Sequence, residues 1–88
     1  MKAIVTVIGK DKVGIIAGIS AELQELNINI LDVNQTIMGS NFAMMMMVNL
    51  SEEENFEEIK NKLTKKGASL DVDVRIQRED IFNSMHTI

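Results

Sequence analysis

β-branched residues dominate positions 3–8, with Ala3, Val5 and Val7 on one face and Ile4, Thr6 and Ile8 on the other. A strand apolar on both sides belongs in the middle of a sheet, with its second face at least partly covered. Gly9 to Lys12 then read as a turn, and the period changes. Ile15, Ile16, Ile19, Leu23 and Leu26 fall on one side of a helix that ends near Asn27, a residue suited to a left-handed helix terminus. From Ile28 to Met38 the period returns to two. Leu31, Val33 and Ile37 share one face, and Asp32, Asn34 and Thr36 the other, a mixture that fits a sheet edge. Gly39-Ser40-Asn41 marks a hairpin turn into a third strand. There Phe42, Met44, Met46, Val48 and Leu50 oppose Ala43, Met45 and Met47, so both faces are again apolar.

Ser51, with Glu54 three residues on, has the form of a capping box opening a second helix. Glu52 and Glu53 suit the positive end of that helix. Phe56, Ile59 and Leu63 form its buried stripe, Glu58 and Lys62 make an i,i+4 pair, and Gly67 ends it. Leu70, Val72, Val74 and Ile76 alternate with Asp71, Asp73, Arg75 and Gln77, a half-buried fourth strand. The tail, Glu79 to Ile88, places Ile81, Phe82, Met85 and Ile88 at short amphipathic-helix spacing. Such a helix is marginal alone and must dock on the sheet or on a partner.

The order β-α-β-β-α-β predicts an α+β, ferredoxin-like sandwich: a four-stranded antiparallel sheet, two helices on one face and a short C-terminal helix. Right-handed crossovers give the strand order fourth, first, third, second. The chain is one domain over 1–88, with a core over 1–78 and a helical tail over 79–88. Helices on one face leave Ile4, Ile8, Met45 and Met47 uncovered on the other, a larger apolar patch than monomers usually expose. A homo-oligomer, in its simplest form a dimer, is therefore expected.

Composition narrows the chemistry. The 88 residues contain no cysteine and no proline, so disulfides, thiolate metal sites and cysteine nucleophiles are excluded. A net charge of −4 argues against nucleic acid as the main partner. Lys60, Lys62, Lys65 and Lys66 read as a solvated helix face. No apolar run is long enough for a membrane span, and the reading is a cytoplasmic protein. The lone His86, beside Met85 and near Glu79 and Asp80, fits a surface or capping role rather than a metal site. Asp71 and Asp73 fit a solvated strand face, and Met44 to Met47 adaptable packing. No residue set has the form of a catalytic site, and no cofactor is implied.

Binding chemistry concentrates between Val7 and Asp32. The glycine-bracketed turn Gly9-Lys10-Asp11-Lys12-Val13-Gly14 opens a helix, and the N–H groups of a helix start attract anions. The amides around Val13 and Gly14 suit a carboxylate, Asp11 suits an ammonium group, and the side chain of Asn29 can donate and accept. Each has a simpler reading: Asp11 as a helix cap, Gly14 as a steric need, Asn29 as a local backbone partner.

The set Gly9-x-Asp11-x-x-Gly14-Ile15, Asn29-Ile30 opening the second strand, and the element order together resemble the ACT domains, small ligand-sensing regulatory modules. The resemblance covers Met1 to about Arg78. Many members of that family carry proline where Val13 stands. The complete chain is similar to small stand-alone ACT proteins of bacteria and archaea, and to the ACT units of the glycine-cleavage transcriptional repressor. It implies a non-catalytic module that binds an amino acid or another small molecule between paired domains. Asp11, Val13, Gly14 and Ile15 of one subunit would then meet Asn29 and Ile30 of a neighbour. The alternative is a pure protein–protein interaction module, without a small ligand, that binds itself or a larger enzyme or regulator.

Overall fold

The computed structural model describes residues 1–10, 13–51 and 54–81. Its elements are β1 (Lys2–Lys10), α1 (Ile15–Glu25), β2 (Asn29–Met38), β3 (Asn41–Asn49), α2 (Phe56–Ser69) and β4 (Val72–Arg78). The sheet is antiparallel at every junction, in the order β2-β3-β1-β4. The expected ferredoxin-like plan is therefore present, with the two doubly apolar strands at its centre. Helical backbone resumes at residues 79–81; the remaining tail positions, Phe82, Met85, His86 and Ile88 among them, lie outside the described residues.

The core lies between the sheet and both helices. Ala3, Val5 and Val7 of β1 join Phe42, Met44, Met46 and Val48 of β3, Ile19 and Leu23 of α1, and Ile59 and Leu63 of α2 in one buried cluster. Burial of this order, roughly 1.5–3 kcal/mol per large apolar side chain, is what holds so small a domain together. Ile4 is also buried but stands outside that cluster, because it points to the opposite face of the sheet.

Several local expectations change. β1 continues through Gly9 and Lys10, since both still pair with β3. Ile16 is 43% exposed, rotated off the buried face that Ile15, Ile19 and Leu23 define. The cap of α2 is Asn55 rather than Ser51. Asn55 has extended backbone, and its side-chain oxygen accepts from the Glu58 amide at 3.2 Å. Residues 51–55 carry no apolar side chain for a helix to bury, so the cap directly before Phe56 takes the role. Ser51 instead begins a turn, its carbonyl accepting from the Glu54 amide at 3.1 Å. Gly67 does not end α2. It is buried inside the helix, where an added Cβ would meet Val74 and stand 3.0 Å from the carbonyl oxygen of Val72. Glycine is there to let α2 lie close on β4, and the helix runs on to Ser69. Leu70 and Asp71 form the turn that follows, with Asp71 at φ 61, so β4 begins only at Val72. The Glu58–Lys62 pair forms at 3.3 Å. Asn27 has φ 57, the left-handed geometry expected of it.

A candidate ligand site split between two ends of the sheet

The glycine turn is built by backbone geometry. Gly14 is the N-cap of α1, at φ 92, a conformation that side-chain-bearing residues rarely adopt. An added Cβ would find nothing within 4 Å, so the need for glycine is conformational and not steric. The first intrahelical bond runs from the Gly18 amide to the Gly14 carbonyl at 2.8 Å. Amides before it in the first turn have no acceptor within the helix. Val13 stands fully in solvent beside them, at 106% relative exposure, and Ile15 turns into the core at 2%. Asp11 lies outside the described residues; the N-cap position of α1 is Gly14.

Asn29 and Ile30 open β2 at the other end of the sheet. Asn29 pairs with Asn49, which pairs with Lys2, whereas the glycine turn follows Lys10. Eight residues of strand separate the two levels, about 26 Å. One copy of the chain therefore does not bring Asn29 to the Gly14 turn.

Asn29 and Ile30 do border a concavity. An open hollow of about 550 Å³ is lined by Ser20, Gln24, Asn27, Ile28, Asn29 and Ile30. The sequence reading gives Ser20, Gln24 and Asn27 no place in the site. The signal was available: Ser20 and Gln24 are four residues apart on α1, so they share a face. The hollow is chemically neutral, rimmed by amides and a hydroxyl, groups that hold a polar ligand without supplying acid or base. Among the described residues no polar or charged side chain is buried, and no cluster of three His, Cys, Asp or Glu side chains could hold a metal ion. Nor is any described helix long and apolar enough to cross a membrane.

Between the two half-sites runs β2, the edge of the sheet. All its residues are exposed except the partly buried Ile30. A bulge at Leu31 shifts the register between Ile30 and Asp32. It puts Ile30, Val33 and Ile37 together opposite Val48, Met46 and Phe42, on the helix-bearing face. Leu31, Val33 and Ile37 nonetheless remain 46%, 46% and 54% exposed, because the helices do not reach them.

A four-stranded sheet backed by two helices, with a glycine turn after β1, defines a small α+β module of the ferredoxin-like class. The match to the ACT domain model spans residues 2–77, and the chain belongs to the ACT domain family. A UPF0237 protein of Listeria innocua is 57% identical over 89 residues, covering all of both chains. The solved ACT domain protein of Streptococcus pneumoniae superposes with a TM-score of 0.85 at 44% identity, over 93% of each chain. A putative glycine cleavage system transcriptional repressor shares the fold, with a TM-score of 0.77 at 21% identity, over 86% of this chain and 44% of that one. ACT domains are generally regulatory, ligand-binding modules.

Proposed function

We propose that this protein is a non-catalytic sensor of a small amino acid, held between two copies of the chain that meet along β2. The observation that carries this reading is the placement of the two half-sites at opposite ends of one open edge strand. A two-fold axis pairs identical edge strands antiparallel. The start of one β2, with Asn29 and the hollow beside it, then lies next to the end of the other. That end, Met38, is level with Asn41 and Lys10, from which the glycine turn departs. Two equivalent sites result, each taking the turn of one copy and Asn29 and Ile30 of its neighbour.

The chemistry suits a zwitterion. Helix-start amides at Val13 to Ile15 receive the carboxylate, Asp11 receives the ammonium group, and the amides of Asn29, Gln24 and Asn27 hold the remaining polar atoms. Membership of a family of regulatory modules supports the same reading. A cytoplasmic location fits a sensor of metabolites.

Thermal-shift screening against the amino acids, followed by calorimetry, tests the proposal. A ligand at one hundred times its dissociation constant stabilises by about 2.7 kcal/mol. Asp11→Ala and Asn29→Ala, each checked to be folded, are expected to lose that shift. Unchanged affinity in both would reject the site. A screen in which no amino acid or related metabolite binds would leave β2 as an interaction surface without a small ligand.

A further inference from the structure

Helical hydroxyls in this chain are used in two ways. On α2, Thr64 Oγ1 donates to the Lys60 carbonyl at 2.8 Å and Ser69 Oγ to the Lys66 carbonyl at 2.6 Å. That is the usual return of a helical hydroxyl to its own backbone. On α1, Ser20 makes no such bond to any described residue, and the side chains of Gln24, Asn27 and Asn29 are equally uncommitted. All four line the hollow at the start of β2. The turn beneath them is already satisfied: the Asn27 amide donates to the Gln24 carbonyl at 3.0 Å, and the Ile28 amide to the Leu23 carbonyl at 2.9 Å. The bonding capacity left at this end of α1 therefore belongs to side chains, one hydroxyl and three carboxamides.

Resting on the binding proposed above, we infer that this hollow receives the side chain of the bound amino acid. Ser20 and Gln24 select an uncharged hydroxyl or carboxamide there, over charged and purely apolar side chains. The two stand four residues apart on one face of α1. A hydroxyl or a carboxamide on the ligand both donates and accepts, as Ser20 and Gln24 do.

The distribution of charge decides against the ionic alternatives. Residues 13–59 contain no lysine, arginine or histidine, so an acidic side chain meets no cation on α1, β2 or β3. Pairing along β2 brings Lys10 of the neighbouring copy to this end. Lys10, however, follows Thr6 and Ile8 at the two-residue period onto the outer face, whereas the hollow lies on the helix side beside α1. A basic side chain meets no carboxylate. At about 100° per residue, Glu22 and Glu25 stand roughly 100° or more around α1 from Ser20 and Gln24, and neither lines the hollow. Asp32 pairs with Met47 on the outer face, where its Oδ1 accepts from the Val33 amide at 2.9 Å. An apolar side chain would leave the hydroxyl and carboxamides without partners once a second copy closes over them, which costs affinity.

Calorimetry on the full chain with a matched set of amino acids tests the inference. The tightest binder among serine, threonine, asparagine and glutamine is expected to bind at least about tenfold more tightly than alanine, valine, aspartate, glutamate or lysine. Ser20→Ala combined with Gln24→Leu is expected to erase that margin, whereas a merely structural role would weaken every ligand alike. Gln24 is exposed, and arginine is a good helix former, so Gln24→Arg keeps the fold. It sets a cation in the hollow and is expected to turn the preference toward aspartate or glutamate. Valine, lysine or aspartate binding as tightly as the polar set would overturn the inference, as would a margin that survives loss of both side chains. Where Asn29→Ala still abolishes such indiscriminate binding, the site stands and its selectivity alone fails. If no amino acid binds the parent protein, the site and its selectivity fall together.

Discussion

The two edges of this sheet are finished differently. β4 is seven residues long, and Val72, Val74 and Ile76 are buried beneath α2. Between them Asp73 and Arg75 point outward, ion-paired at 3.1 Å. Short length, charge and helix cover are the usual means by which an edge strand avoids pairing with another chain. β2 is ten residues long and exposed almost throughout, with Leu31, Val33, Ile37 and Met38 in solvent and Asp32 as its only charge. Its bulge is confined to the Leu31 end, so Asp32 to Met38 keep a regular ladder on which a further strand can add. One edge is closed by the chain itself, and the other stands open.

The largest expected effect comes from placing a cation on the open edge. Val33→Lys appears twice in a two-fold pair and removes two apolar contacts. It is expected to weaken association by about 3 kcal/mol, on the order of 100-fold, by sedimentation equilibrium. A parent protein that sediments as a 9.8 kDa monomer at micromolar concentration would remove the comparison altogether. At the closed edge the test is Gly67→Ala. In an exposed helix this change stabilises by up to about 1 kcal/mol. Here the new methyl meets Val74 and the backbone of Val72, and a loss of about 1–3 kcal/mol is expected in urea unfolding. Asn55→Ala removes the cap of the helix that covers β4 and should cost about 1 kcal/mol, read by the same melt. Smallest is Arg75→Ala. Its pair with Asp73 is exposed, so a change below about 1 kcal/mol and an unaltered oligomeric state are expected.

Much of this contrast is legible in the sequence. The alternation of Val72, Val74 and Ile76 with charged residues, and the mixed faces of residues 31–37, already mark two edges, and the apolar residues on both sides of β1 and β3 mark the centre. What is not legible is tertiary. Gly67 has the composition of a helix terminus, and only the closeness of β4 explains it inside a helix. Ser51 and Asn55 are both good caps, and the choice between them depends on where Phe56 meets the core. Glycine at 14 and asparagine at 29 read as neighbours because one helix links them. The register places them about 26 Å apart along the sheet. Ser20, Gln24 and Asn27 come together around one hollow only because α1 lies beside the start of β2.

The most direct test of the account is complementation between two defective chains. Val13→Asp sets a negative charge at the amides expected to receive the carboxylate, and Asn29→Ala removes the other half of the site. Each variant alone is expected to lose binding of the amino acid that the thermal-shift screen selects. Mixed and allowed to exchange, half of the pairs contain one copy of each, and one of the two sites in each such pair is intact. Calorimetry should then recover about one quarter of the parent's sites. A mixture that binds no more than the separate variants would contradict assembly of the site across β2.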